Sequence, residues 1–443
     1  MVISQIIKKK IQFSFSGIIS HLGSIFNSIP DWRKQKKIEY QLYDALMSAF
    51  ACMYMQHSSF LEFQEEQKEK NGRCNLETMF LVKRFPRANQ LKDIINKVEP
   101  SYLQKATVDI ITSLDSEGKL DRYKTFDGKY NVNLDGVQYF HSENINCKCC
   151  LVKKSKDTVY FYHSVVQAAI CKHGMNEVFP LYAEEIRNTD GQSKQDCETN
   201  AAKRLLPSLK ENYQDLKFII NGDDLYSRKP MIELVSSYGY SYIFVTKPDS
   251  HKYMMDYVQE RYPSVSTTTK QEGNKKYYYT YMKNVPLNGD KSSPMVNFFS
   301  VQVIETKNGN EKISYSNSWI TDMDITDENI GDLVDLARAR WKIENECFNN
   351  LKNRGYHLEH NFGHGEKLSF NIYLLMLLAF LTHQILEIAD VLYQSARAFV
   401  SSKERLWDKI RILSDILVFD SWEEVLTLIL NPKKFKAAHI FSQ

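Results

Sequence analysis

Leu216-Lys217-Phe218-Ile219-Ile220-Asn221-Gly222-Asp223-Asp224 is a short apolar run that stops on a glycine and two acids. A run of this length bounded by a turn signal reads as a buried strand. Upstream, Asp196 to Leu209 has helical spacing, with Asp196 placed to act as its N-cap. Before that lie three β-type runs, Val132 to Phe140, Val159 to Cys171 and Glu177 to Tyr182. Three strands, a helix and a fourth strand predict an α/β layer around one sheet. Downstream, Pro230 to Tyr238 reads as a helix and Tyr242 to Val245 as a further buried strand.

The flanks have a different character. Residues 30–115 read as helical, with Leu42, Leu46, Met47, Phe50 and Met53 at helix spacing. Leu76 to Val82, Leu91 to Val98, and a segment opening at Pro100-Ser101 continue the pattern, and 115–119 reads as a linker. From about 249 to 322 the chain is rich in Tyr, Thr, Val and Ser. Lys275 to Lys283, Val296 to Thr306 and Lys312 to Ile320 read there as antiparallel strands. Asp327 to Arg354 returns to helix, and Ser369 to Ala389 is a long apolar one.

The bulk numbers fit a globular protein: 443 residues, 43% hydrophobic, 25% charged and a net charge of +3. Bulk charge therefore does not demand a nucleic-acid partner. Local basic runs do occur, at Lys8 to Lys10, across 33–37, and at Lys433, Lys434 and Lys436. They read first as solvated surface and then as phosphate contacts. The apolar run Ile372 to Leu381 is shorter than the about 20 residues that span a bilayer, so a buried core helix is expected. The N-terminus is too polar for a secretory signal, and eight cysteines without a regular framework agree with a reduced compartment. A cytoplasmic protein is the expectation.

Two carboxylates stand where strands meet turns: Asp135 in Asn133-Leu134-Asp135-Gly136-Val137, and Asp223. Glycine beside each permits close approach of a ligand. A third acid, Glu344 in Arg340-Trp341-Lys342-Ile343-Glu344, lies four residues after Arg340 on a predicted helix, so the two share a face. Three carboxylates without a Ser-His pair suit hard, oxygen-loving cations such as Mg²⁺. The same residues also fit plain structure. Asp-Gly is a turn dipeptide, and Arg340 with Glu344 makes an ordinary helix ion pair. Asp127, Asp224 and Glu346 compete with Asp135, Asp223 and Glu344 respectively.

Together these segments resemble the DDE transposases of bacterial insertion sequences. The similar branch has an RNase H-like core, a β-rich insertion before the final glutamate, and a Tyr-Arg-Glu-Lys signature around it. Leu134 to Ser142 resembles the first-aspartate strand, Asn221 to Tyr226 the second-aspartate turn, and Arg340 to Glu344 the glutamate helix. The resemblance spans about residues 30–390 and prefers Asp135, Asp223 and Glu344 over their competitors. It departs from the signature at Ala337, where tyrosine would stand, and at Leu351, with the cation one later at Lys352. The missing tyrosine bears on how a cut DNA end is handled, including any hairpin intermediate.

The resemblance implies a layout: a basic leader over 1–29 and a helical DNA-binding domain over 30–118. The catalytic core would be formed by 119–248 and 323–392, with the β-rich insertion over 249–322 and a C-terminal helical tail over 393–443. It also implies that Asp135, Asp223 and Glu344 hold two Mg²⁺ ions (Mn²⁺ as a substitute) for cleavage and strand transfer of double-stranded DNA. Arg340, Lys352 and Arg354 would contact phosphates, the helical module would bind terminal inverted repeats, and a homodimer would assemble on DNA. The alternatives are an RNase H-like nuclease without strand transfer, and a non-catalytic DNA-binding relic.

Other residues invite readings of their own. Cys147-Lys148-Cys149-Cys150 lies near His141, His163, Cys171 and His173 in the sequence. Buried or edge cysteines are expected there, because the segment is read as lacking a finger's Cys-x-x-Cys pairing, with zinc as the alternative. His357 to Gly365 reads as a loop of surface histidines or DNA contacts. Tyr277 to Tyr279 and Trp341 are expected in the core, with base stacking the alternative for the tyrosines.

Overall fold

The structure is a computed structural model that describes residues 11–434, apart from 35, 37, 68–73, 156–157 and 189–194. Lys8 to Lys10, Lys37 and Lys436 of the basic runs lie outside the described residues.

Six helices come first: α1 (Phe15–Ser28), α2 (Leu42–Tyr54), α3 (Phe60–Glu66), α4 (Asn75–Phe80), α5 (Ala88–Ile95) and α6 (Pro100–Ser116). Helix α1 occupies 14 of the 29 residues expected to be a basic leader. Ser14 caps it by accepting from the Gly17 amide at 3.3 Å. Phe15, Ile18, Ile19, Leu22 and Phe26 recur at helical spacing and are all buried, so this segment is core. Pro100 opens α6 at a position where a missing amide hydrogen is harmless.

A mixed sheet of ten strands follows. It contains β1 (Tyr130–Ser142), β2 (Leu151–Ser155), β3 (Thr158–Ile170) and β4 (Phe179–Ile186). After α7 (Glu198–Asn212) come β5 (Phe218–Gly222), α8 (Lys229–Ser237) and β6 (Ser241–Val245). Strand β1 lies between β3 and β5, antiparallel to the first and parallel to the second, and β5 is parallel to β6. Strand β4 flanks β3. Helices α7 and α8 carry the chain between strands, as a parallel connection requires.

The β-rich stretch holds α9 (Lys252–Glu260), β7 (Ser266–Glu272), β8 (Lys275–Pro286), β9 (Met295–Lys307) and β10 (Asn310–Thr321). It extends the same sheet: Trp319, Ile320 and Thr321 of β10 pair antiparallel with Val245, Phe244 and Ile243 of β6. This pairing covers an edge that β6 would otherwise present. Helix α9 and strand β7 were not anticipated.

The chain then forms α10 (Ile330–Arg338), a π-helical turn (Ile343–Phe348) and α11 (Asn349–Asn353), in place of one continuous helix. Four further helices close the fold: α12 (Leu368–Ala389), α13 (Val391–Phe399), α14 (Lys403–Ile416) and α15 (Trp422–Leu430). Helix α12 is long and apolar enough to cross a membrane, but 83% of its most apolar window is buried inside the protein. It packs on α2, α5, α6 and β4. Helices α1 and α15 meet, since Phe15 stacks on Trp422 at 4.8 Å. The helices before and after the sheet therefore share one core. A second apolar cluster joins α10 to Phe299, Val301 and Trp319 of the β-rich stretch.

Candidate active site

Side chains alternate along β1, so Asn131, Asn133 and Asp135 share a face. The parallel register pairs Asn133 with Asn221 of β5. Two residues beyond each of these asparagines stand Asp135, still in β1, and Asp223, just past the end of β5. The asparagines beneath them are buried and point at the end of α10. Asn131 Nδ2 donates to the Leu336 carbonyl at 3.2 Å, and Asn133 Nδ2 to Ala339 at 2.7 Å. Asn221 Nδ2 reaches Leu336 at 2.9 Å and Ala337 at 3.3 Å. A helix ends with carbonyls that lack partners, and three amides from the sheet supply them here. The exit of α10 is thereby registered against β1 and β5, which sets Arg340 and Glu344 beside Asp135.

Arg340 Nη1 stands 2.5 Å from Glu344 Oε1 and 3.5 Å from Asp135 Oδ2. One guanidinium thus joins the helix acid to the strand acid. Glu344 lies in the π-helical turn, a rare geometry that is frequent at functional sites. The Asp135 carboxyl is pushed up to about 7, chiefly by burial, with Glu344 and Glu198 adding and the Arg340 charge offsetting part of it. Asp223 Oδ1 accepts from the Leu225 amide at 2.8 Å.

The competing acids sit elsewhere. Asp224 is held by the Lys247 amide, the Ser250 hydroxyl and the ring of His251. Asp127 is exposed in a tight turn with φ of 54°. Glu346 lines a separate cleft of about 870 Å³ on the far side of the same helical segment.

A fourth acid, Glu198, went unnoticed in the sequence. It opens α7, whose N-cap is Cys197, while the expected cap Asp196 is held by Arg204 Nη2 at 2.8 Å. Tyr226 donates to Glu198 Oε1 at 2.7 Å. Burial raises the Glu198 carboxyl, as does the Asp223 charge, while the tyrosine hydrogen bond lowers it. Both glycines beside the aspartates make room for this pair. A β-carbon on Gly136 would lie 2.5 Å from Glu198 Oε2, and one on Gly222 would lie 2.7 Å from the Tyr226 ring. Close approach was legible in those glycines; the group approaching was not.

Other expected contacts are not drawn to the acids. Lys352 Nζ pairs with Glu359 at 2.9 Å, and Arg354 pairs with Glu404. Arg354 lines the separate cleft, beside Glu346. Trp341, expected in the core, is 62% exposed, because Ala339 and Ile343 take the inward positions around it. Tyr279 is buried, and Tyr277 and Tyr278 are half-buried.

Carboxylate oxygens suit a hard divalent cation; Arg340 joins Asp135 to Glu344, Glu198 acts on Asp135 by its charge, and Asp223 acts in turn on Glu198. The Arg340 guanidinium shows that positive charge is accepted between Asp135 and Glu344. A cation shared by those two carboxylates would require the guanidinium to shift. No family model matches the chain, and no curated protein matches its sequence.

Proposed function

We propose that this chain is a DNA transposase of an insertion sequence, acting by metal-dependent phosphoryl transfer. The observation that carries the reading is the single Arg340 guanidinium joining Asp135 to Glu344 beside the strand end that bears Asp223. Supporting it, the mixed sheet order β4-β3-β1-β5-β6, with β1 antiparallel to β3 and parallel to β5, is compatible with the RNase H-like core that the resemblance implies. The β-rich stretch falls between the second aspartate and the glutamate, as in the family the sequence resembles.

On this reading Asp135, Asp223 and Glu344 hold Mg²⁺, which supplies activation of a water or 3′-hydroxyl and stabilisation of the departing oxygen. Asp135 binds in its ionised form, since a protonated carboxyl is a poor ligand. Glu198 and Tyr226 hold the approach to Asp135 and Asp223 from the opposite side. Arg340, once freed from Asp135, pairs with a phosphate near the scissile bond. Exposed Trp341 lies next to that arginine, where it can meet DNA. The helices before the sheet would bind the inverted repeats, and two copies would act on two ends.

The test is a cleavage and joining assay with purified protein, Mg²⁺ and DNA carrying the element's inverted repeats. Strand transfer lost in Asp135→Asn, Asp223→Asn and Glu344→Gln, with DNA binding retained, is the expected result. Cleavage that persists in these variants removes the reading. Cleavage without joining assigns a nuclease, and binding without cleavage a relic.

A further inference from the structure

Apart from the acids, two thiols and two imidazoles meet at one point. Cys147 and Cys150 lie in the connection between β1 and β2, His163 on β3, and His364 in the loop between α11 and α12. Their ligand atoms all lie within 4.8 Å of one another. Cys147 and Cys150 have the Cys-x-x-Cys spacing that the expectation for this segment denied. His364, expected as a surface histidine, turns inward and places Nε2 3.5 Å from Cys150 Sγ.

Four of the six separations match the edges of a tetrahedron around zinc. Bonds of about 2.3 Å to sulfur and about 2.0–2.1 Å to nitrogen give ligand edges of about 3.8 Å for S–S and about 3.5–3.6 Å for S–N. The two sulfurs are 3.8 Å apart. His163 Nε2 is 3.5 Å from each sulfur. A disulfide would need the sulfurs at about 2.05 Å, and all the described cysteines are free.

The surroundings are built for a bound histidine. His163 is fully buried, and its other nitrogen, Nδ1, faces Glu185 Oε1 at 3.2 Å. Glu185 is also buried, and is held by the Tyr139 hydroxyl at 2.9 Å and by Arg187 Nε at 2.6 Å. A carboxylate behind a ligating histidine fixes the ring and its tautomer.

We propose that Cys147, Cys150, His163 and His364 bind one structural Zn²⁺. Two thiolates and two neutral imidazoles balance the ion's charge and fill its four positions, leaving none for substrate. The ion fastens the loop that follows the Glu344 segment to the β1–β3 side of the sheet. It thereby ties the loop before α12 to β3 and to the connection that leaves β1, the strand that carries Asp135.

Metal analysis of the full chain, purified without chelator, tests this. About one zinc per chain is expected, falling several-fold in Cys150→Ser and His364→Ala and remaining in Cys149→Ser, His173→Ala and Asp135→Asn. Should the ligand variants not fold, cobalt substitution of the unaltered chain decides the matter. Tetrahedral cobalt absorption with thiolate charge transfer is expected. Octahedral cobalt, a Cys147–Cys150 disulfide in the purified protein, or zinc lost from Asp135→Asn and kept in Cys150→Ser would each overturn the proposal.

Discussion

The acidic edge and the Cys/His cluster lie on the same sheet and solve opposite electrostatic problems. At the acidic edge, carboxylates of one sign are gathered and partly desolvated, with a single guanidinium between two of them. At the Cys/His cluster, donors are matched in number and spacing to one ion, and the carboxylate behind them is itself paired. The first region leaves charge to be answered from outside, as a site acting on substrate must. The second would be complete with its ion, as a fastening should be. Desolvated charge clusters at functional sites, and closed coordination is typical of structural metal sites.

The largest effect should separate the two regions. Asp135→Asn or Glu344→Gln should lower DNA cleavage by on the order of 10³-fold or more in single-turnover assays. Zinc content should not change. Conversely, Cys150→Ser or chelation should lower the melting temperature by roughly 5–10 °C, with a secondary loss of cleavage. Equal loss of metal and stability on both sides would erase the distinction.

A third change probes how the acidic edge is held. Asn133→Leu leaves the Ala339 carbonyl without its partner, which should cost about 1–3 kcal/mol in denaturant unfolding. It should also reduce cleavage by about tenfold, because Arg340 and Glu344 lose their register on the sheet. An Asn133→Leu protein with undiminished cleavage would show that the amides serve stability alone.

A smaller effect concerns Glu198. Gly136→Ala should destabilise by about 1 kcal/mol, through its clash with the Glu198 carboxylate. In an Glu198→Ala background most of that penalty should vanish, and thermal melts of the four proteins measure the coupling. Additive losses would mean that Gly136 answers to something else.

The last effect is one of pH. Asp135 holds its proton to about 7 in the folded chain and to an ordinary, lower value when unfolded. Unfolding between those values releases a proton, so without divalent metal this group makes the protein less stable as pH rises from about 4 to about 7, and flat above that. Asp135→Asn should lose this contribution, which difference melts across the range can detect. Cleavage should rise with pH through the same window, because the ionised carboxylate is the ligand.

Legibility followed local chemistry. Asp135 and Asp223 showed themselves because each sits at the end of an apolar strand beside a glycine. Strands β8, β9 and β10 were readable from alternation and from turn pairs such as Asn308-Gly309. Trp341 misled because helical periodicity was carried through a segment that is broken after Arg338 and resumes as a π turn. Helix α1 was hidden behind a lysine run whose charge drew attention from Phe15, Ile18 and Leu22. Three asparagines on otherwise apolar strands were a signal too, since a buried amide must find a partner. Nothing local said that the partner was the end of α10.

By itself, the sequence determined the α/β class, the strand-end acids and the Arg340–Glu344 pair, because periods of two and of about 3.6 residues act over a few neighbours. Only the tertiary structure decided that Glu198 stands behind Gly136, and that three sheet amides end α10. It alone also decided that Cys150 meets His364 across 214 positions. Those are contacts between side chains distant in the chain, and no local spacing encodes which distant partner the folded core will bring within 4 Å.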